Sequence, residues 1–364
     1  MKMYLSNVFI KEWWGKMSLY FFIVLIVYSI ALIIKTKSLT KKWTFLDIFI
    51  LLVLIIFSGI RFNVGTDYGL YYYIYNIYIS KVFSLNDYYS TKQEFGYYLL
   101  SWITKNISSS RYGIFWTSAI ITYIPIYSRI KKESKNFTFS ILLFFLLGFY
   151  TGSFNIIRQW IAIAINFYAI QYIEENRKKF VMLNIIGSLF HSTCIIAMLI
   201  QLVAKKIKPT FKLFAFTIVL GIISTIIFER MSFIFNMLGN LNPRYINYFE
   251  PRPAGIGLKL LFVLRIIVIL YVLLFTKKTE YQYDKTLLIV SSLFMMIGFT
   301  NVFIARIEHY FSIVLVLLLP NILTQMELKE RWLYQYCFTV VFLVVFILSL
   351  IYYSDLIPYK TYLM

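Results

Sequence analysis

Acidic side chains, cysteine and histidine are scarce in this 364-residue chain, which has 16 Asp and Glu, two Cys and two His. Cys194 and Cys337 both lie in apolar runs, which argues against a disulfide framework and a thiolate metal site. No acidic cluster suited to holding a divalent metal beside phosphate stands out. A Walker loop, a dinucleotide fingerprint, HExxH and Gly-x-Ser-x-Gly are also missing, so nucleotide-using and metalloenzyme mechanisms are disfavoured. Charged residues make up only 14% of the chain and hydrophobic ones 60%, more apolar surface than a soluble fold of this length can hide.

Apolar runs long enough to span about 30 Å of hydrocarbon, roughly 20 helical residues, recur from end to end. Backbone polar groups in lipid must be satisfied within each segment, so the expected fold class is all-α, a polytopic integral membrane protein. The first run, Met17–Ile34, is of spanning length and lacks a small-residue cleavage site, so no cleavable signal peptide is expected. The net charge of +20 fits the positive-inside rule better than nucleic-acid binding.

Lysines cluster at 35–42, 131–135, 178–179, 205–212, 277–285 and 329, and these groups hold 17 of the 25 lysines. Placing all six in the cytoplasm gives one topology. Met17–Ile34 runs inward and Thr44–Ile60 outward, followed by a long outer loop, Arg61–Arg111, with amphipathic pieces at Tyr68–Ile79 and Glu94–Ile107. Tyr112–Ser128 runs inward, Phe137–Tyr150 outward and Ile156–Ile173 inward. Phe180–Ala204 has lysines at both ends, which predicts a re-entrant hairpin turning near His191-Ser-Thr193, with one long tilted helix as the alternative. Phe211–Phe228 then leads out to a second outer loop, residues 229–257, with three prolines. Leu258–Thr276, Thr286–Ile304, Ile307–Thr324 and Tyr334–Tyr353 complete ten transmembrane helices plus the hairpin, a single transmembrane domain over 1–364.

Seven of the eleven arginines, among them Arg61, Arg158, Arg244 and Arg306, fall at outer helix ends or in outer loops, where basic residues are disfavoured. Guanidinium groups there suit phosphate oxygens, so an anionic ligand at the outer surface is expected. The bland reading is snorkelling, or pairing with Asp67, Glu94 or Glu308. Arg158 opens a helix beginning near Asn155, next to the positive end of its dipole, and Gln159 adds an amide. Arg306 and His309 share a helical face, or form an interfacial anchor with Tyr310. Arg244-Tyr245 is a further candidate contact. Asp67 reads as the cap of the aromatic helix that follows it, or as an acid/base group for a sugar hydroxyl. Glu94 reads in the same two ways. His191 is a buried hydrogen-bonded histidine, a base or a phosphate ligand. Tyr68 and the tyrosines after it offer faces for sugar stacking or an interfacial belt.

The order of these motifs resembles the EpsG/Wzy-type family of bacterial polysaccharide polymerases. The matching pieces are Arg61-Phe-Asn-Val-Gly-Thr-Asp-Tyr68, Glu94-Phe-Gly-Tyr97, Asn155-Ile-Ile-Arg-Gln159, His191-Ser192 and Arg306. Where the family often has a serine one position after Ser192, this chain has Thr193. The resemblance implies a GT-C-like, metal-independent membrane glycosyltransferase in the bacterial cytoplasmic membrane, without cofactor, acting on the outer side. Its donor and acceptor would be oligosaccharide repeat units on undecaprenyl diphosphate, joined with inversion into O-antigen, capsule or exopolysaccharide. Expected partners are membrane lipid, a flippase and a chain-length regulator, and no nucleic acid. On this reading Asp67, Glu94 or His191 is catalytic, while Arg61, Tyr68, Arg158, Gln159, Arg244, Tyr245, Arg306 and His309 bind substrate. The main alternative is a flippase for lipid-linked oligosaccharide.

Overall fold

The computed structural model describes residues 17, 19–34, 43–230, 253, 255–277, 279–352 and 355–363. Among these residues the regular elements are all helical, and an isolated antiparallel bridge joins Arg61 to Thr361. Two helices are long and apolar enough to cross a membrane alone, Ile256–Phe275 and Leu328–Tyr352. A third span is formed if Val302–Ser312 and Leu315–Leu323, bent by 40° at their junction, are taken together. Six further apolar helices are shorter, such as Phe45–Gly59 and Ile157–Ile170. Two predicted spans are interrupted. The helix expected over 286–304 ends at Ile297 and restarts after Asn301, whose side chain accepts from the Phe303 and Ile304 amides. The helix expected over 137–150 ends at Leu146 and resumes at Phe149.

The chain forms two compact units, Met1–Cys194 with Leu319–Met364, and Ile195–Leu318. The first unit contains α1 (Leu19–Ile34), α2 (Phe45–Gly59), α3 (Tyr68–Ile77), α4 (Leu85–Thr91), α5 (Phe95–Ile107) and α6 (Gly113–Glu133). It continues with α7 (Phe137–Leu146), α8 (Phe149–Gly152), α9 (Ile157–Ile170) and α10 (Arg177–Ser188). α11 (Thr193–Ala204) leads into the second unit, which holds α12 (Phe211–Arg230), α13 (Ile256–Phe275), α14 (Gln282–Ile297), α15 (Val302–Ala305) and α16 (His309–Ser312). α17 (Leu315–Leu323) returns the chain to the first unit, where α18 (Leu328–Tyr352) lies.

Helix ends in the first unit sort into two groups. One group is basic. α2 starts with a capping box in which Thr44 and Asp47 satisfy each other's amides. The Asp47 carboxylate also accepts from Tyr127 (2.7 Å) and pairs with Lys131 (2.9 Å) near the end of α6. Arg129 donates to the Phe167 carbonyl late in α9 (2.6 Å), and Asn321 of α17 accepts from the Lys135 amide (2.6 Å). Thr138, opening α7, donates to the carbonyl of Ala31 near the end of α1. The opposite ends of α2 and α9 lie in the other group, with α3 and α5.

α3 and α5 are amphipathic, but their tyrosines differ from the expected belt. Tyr68, Tyr71 and Tyr75, spaced three and four apart, face a core shared with Tyr97, Phe115 and Ile161, whereas Tyr73 and Tyr78 are exposed. The Tyr68 ring stacks on Phe115 at 4.3 Å and 6°, a pairing worth about 1 kcal/mol beyond its buried area. The helix α4, capped by Ser84, was not foreseen; its short polar sequence carries no hydrophobic period.

Candidate functional site

α2 ends at Gly59, and the chain then runs irregularly to Asp67. Arg61 is only 1% exposed, with its guanidinium between the rings of Phe115 and Phe154, 4.8 Å from each centroid. It donates to the Ser58 carbonyl, to Ser58 Oγ (2.9 Å) and to the Phe154 carbonyl (3.4 Å). Burial pulls its pKa down, and surrounding tyrosines oppose that shift. A guanidinium nonetheless stays charged. Arg61 and Tyr68, expected to contact substrate, are both buried against protein groups in this structure. Arg61 instead holds the carbonyl just before Asn155.

Asn155 receives the motif directly. Its Oδ1 lies 3.1 Å from Thr66 Oγ1 and 3.4 Å from the Asp67 amide. The Asp67 carboxylate accepts from the Ile156 amide at 3.1 Å. Asp67 does occupy the N-cap position of α3, but its side chain makes no capping bond there. It caps α9, the helix of Arg158, instead. Ile156 sits at φ +35°, a left-handed conformation that strains a β-branched residue, and this bond helps to hold it. Gly65, at φ +99°, lies so close that a Cβ would stand 2.7 Å from Asn155 Oδ1. Gly65→Ala is expected to destabilise the protein by roughly 1–3 kcal/mol, read as a lower melting temperature of the purified protein. An unchanged melting temperature would mean that this turn is not held against Asn155.

At the second residue of α9, Arg158 forms an ion pair with Glu94, the residue at the N-cap position of α5. Both side chains remain about one-fifth exposed, at 20% and 18%, so this pair is accessible. The buried hydroxyl of Tyr71 lies beside Arg158. Burial raises its pKa, with Arg158 opposing the rise. Burial also pushes Tyr75 up to about 12 and raises Tyr97. The phenols therefore stay neutral, and the charged side chains of the converging motifs are Arg61, Asp67, Glu94 and Arg158. Gln159 is buried at 3% exposure, so it lines the core side of α9.

A fourth segment joins through backbone. The apolar run over 180–204 breaks between Ser188 and Thr193, where the sequence placed its turn, and the Leu189 carbonyl accepts from the Gly96 amide at 2.7 Å. A Cβ on Gly96 would meet that carbonyl at 2.7 Å, so only glycine fits. His191, half-buried in the break, bonds through Nδ1 to Thr193 Oγ1 at 2.7 Å. Thr193 thus helps to hold the imidazole.

In the second unit, Glu308 links Arg265 (3.3 Å) and His309 Nδ1 (2.8 Å), and Arg265 also donates to Ser291 Oγ (2.7 Å). Arg306 lies over the Phe303 ring at 4.9 Å. The candidates Arg244 and Tyr245, with most of the second outer loop, fall outside the described residues. Among the described residues no three His, Cys, Asp or Glu side chains are grouped to hold a metal ion.

A family-level sequence description, the EpsG family, matches residues 44–361. The chain belongs to the EpsG family. Membership in this EpsG/Wzy-type polymerase family points to a role in polysaccharide synthesis at a membrane. No curated protein and no solved structure matches the chain. The EpsG-family segment runs from Thr44, the cap of α2, to Thr361, the residue bridged to Arg61. It therefore contains the whole cluster around Asp67, Glu94 and Arg158.

Proposed function

We propose that this EpsG-family chain is a polysaccharide polymerase that joins oligosaccharide repeat units carried on undecaprenyl diphosphate by inverting glycosyl transfer. One observation carries the reading. Four separate motifs converge by hydrogen bonds: Asp67 on Ile156, Glu94 on Arg158 and Gly96 on Leu189, two residues before His191. They bring a guanidinium, two carboxylates and an imidazole to neighbouring chain segments. The positive-inside rule supports a cytoplasmic location for the basic helix ends around Lys131 and Lys135. The ends that hold Asp67 and Arg158 then face outward across ten spans, where a polyprenol-linked diphosphate is available.

In this mechanism the donor diphosphate replaces the Glu94 carboxylate on Arg158, exchanging one anion for another at a bidentate donor. Glu94 is thereby freed as a base. The acceptor hydroxyl attacks the anomeric carbon and gives its proton to Glu94. The bond from that carbon to the diphosphate oxygen breaks, and its electron pair leaves with the diphosphate, stabilised by Arg158. Tyr71, whose buried hydroxyl lies beside Arg158, steadies that guanidinium.

The buried Arg265–Glu308 pair favours the flippase reading, because charge within apolar helices is what a transport path needs. Reconstitution in liposomes, with lipid-linked repeat units supplied only from outside, separates the two. A ladder of lengthened chains is expected; transfer of the lipid without lengthening would overturn the polymerase reading.

A further inference from the structure

The tail after α18 was assigned nothing by its sequence, yet it is tied to the Arg61–Asp67 segment along its length. The Phe62 amide donates to the Lys360 carbonyl (2.8 Å), and the Tyr362 amide donates to the Ile60 carbonyl (3.2 Å), flanking the Arg61–Thr361 bridge. The Gly65 amide donates to the Asp355 carbonyl at 2.9 Å. Side chains reinforce the ladder. The Tyr362 ring stacks on Tyr112 at 4.0 Å and 4°, and its oxygen accepts from Trp116 Nε1 at 2.9 Å. The Tyr359 ring stacks on Phe57 at 4.0 Å and 8°.

The physical need is clear from the segment itself. Residues 61–66 form no helix, and Asn63 and Gly65 have positive φ, so their amides find no regular partners within the segment. The tail supplies acceptors to the amides of Phe62 and Gly65, just before the residues that meet Asn155 and Ile156. We infer that residues 355–363 are a positioning strap: they set the register of the Gly65–Asp67 turn and, through Asp67, the start of the Arg158 helix.

Hydrogen exchange on the purified protein tests this without reference to activity. A chain ending at Ser354 is expected to exchange its amides at 62–67 and 155–157 at least about tenfold faster, with 127–133 unchanged. Unchanged exchange at 155–157 overturns the inference. Should the truncated chain lose protection at 127–133 as well, Tyr362→Ala replaces it, in a Cys337→Ser background carrying Phe62→Cys and Lys360→Cys. Hydrogen-bonded antiparallel partners have Cα atoms about 5.5 Å apart, within disulfide reach. Oxidation is expected to restore protection at 155–157. Failure of the disulfide to form, or formation without recovery, overturns the strap.

The polymer arm rests on the polymerase reading. Tyr362→Ala should lower polymer at least about tenfold, Tyr362→Phe, which keeps the stack, should stay within about threefold, and the oxidised disulfide should recover it. Recovered exchange without recovered polymer, in a preparation whose parent chain polymerises, overturns positioning. If the exchange results hold and even the parent chain makes no polymer, the polymerase reading fails and the strap stands.

Discussion

In an Arg158→Ala chain, polymer is expected to disappear while single repeat units accumulate on the lipid carrier. Arg158 is the guanidinium of the cluster that is partly open and paired to a replaceable anion, whereas Arg61 is locked between two rings. Losing the group that receives negative charge on a leaving diphosphate costs about 3–4 kcal/mol in the transition state, a factor of roughly 10²–10³. Folding should be largely spared, because a partly exposed ion pair contributes only about 1 kcal/mol or less. Arg158→Lys keeps the charge but loses the planar fork, so an intermediate loss is expected. The measurement is a gel ladder of lipid-linked products beside the melting temperature of each variant. Long chains at the parental level in the Arg158→Ala protein would refute the diphosphate assignment.

The contrast between Arg158 and Arg61 shows where sequence reasoning stops. Both are arginines at a helix end, and local rules treat them alike. What separates them is the partner brought by the fold: Phe154, 93 residues on, for Arg61, and Glu94 for Arg158. Asp67 teaches the same lesson. Capping rules assign a carboxylate to the nearest helix, but its bond goes to an amide 89 residues away. The break at His191 was legible because lysines flank the apolar stretch at both ends, with the turn placed at its polar His-Ser-Thr run, and both are local signals. Amphipathic α3 and α5 were legible for the same reason. The tail was not, since its ladder uses backbone carbonyls and amides that any sequence would offer. Apolar length foretold helices, but it could not foretell the interruptions at Gly148 and Asn301, where side-chain and backbone caps end a hydrophobic run early.

Glu94→Gln and Asp67→Asn are expected to separate the two carboxylates, with the larger loss at Glu94. Glutamine keeps the length and a hydrogen-bond acceptor for Arg158, so α5 and α9 should stay joined and the melting temperature should change little. It cannot take up a proton. Removal of a general base slows turnover by about 10²–10⁴-fold. Diphosphate no longer has to displace a charged carboxylate from Arg158, so carrier binding should be as tight as before or tighter. A fall in kcat without a rise in KM is the signature. Asparagine at position 67 retains an oxygen for the Ile156 amide, the contact that carries its structural role, so a loss of about tenfold or less is expected. Asp67→Ala removes that oxygen and should cost about 1 kcal/mol of stability with a correspondingly larger drop in polymer. The reverse order, with Asp67→Asn inactive and Glu94→Gln near the parental rate, would move the base to Asp67 and leave Glu94 as the resting counter-ion of Arg158. The exchange of carboxylate for diphosphate would then protect the guanidinium between turnovers and would no longer switch on the chemistry.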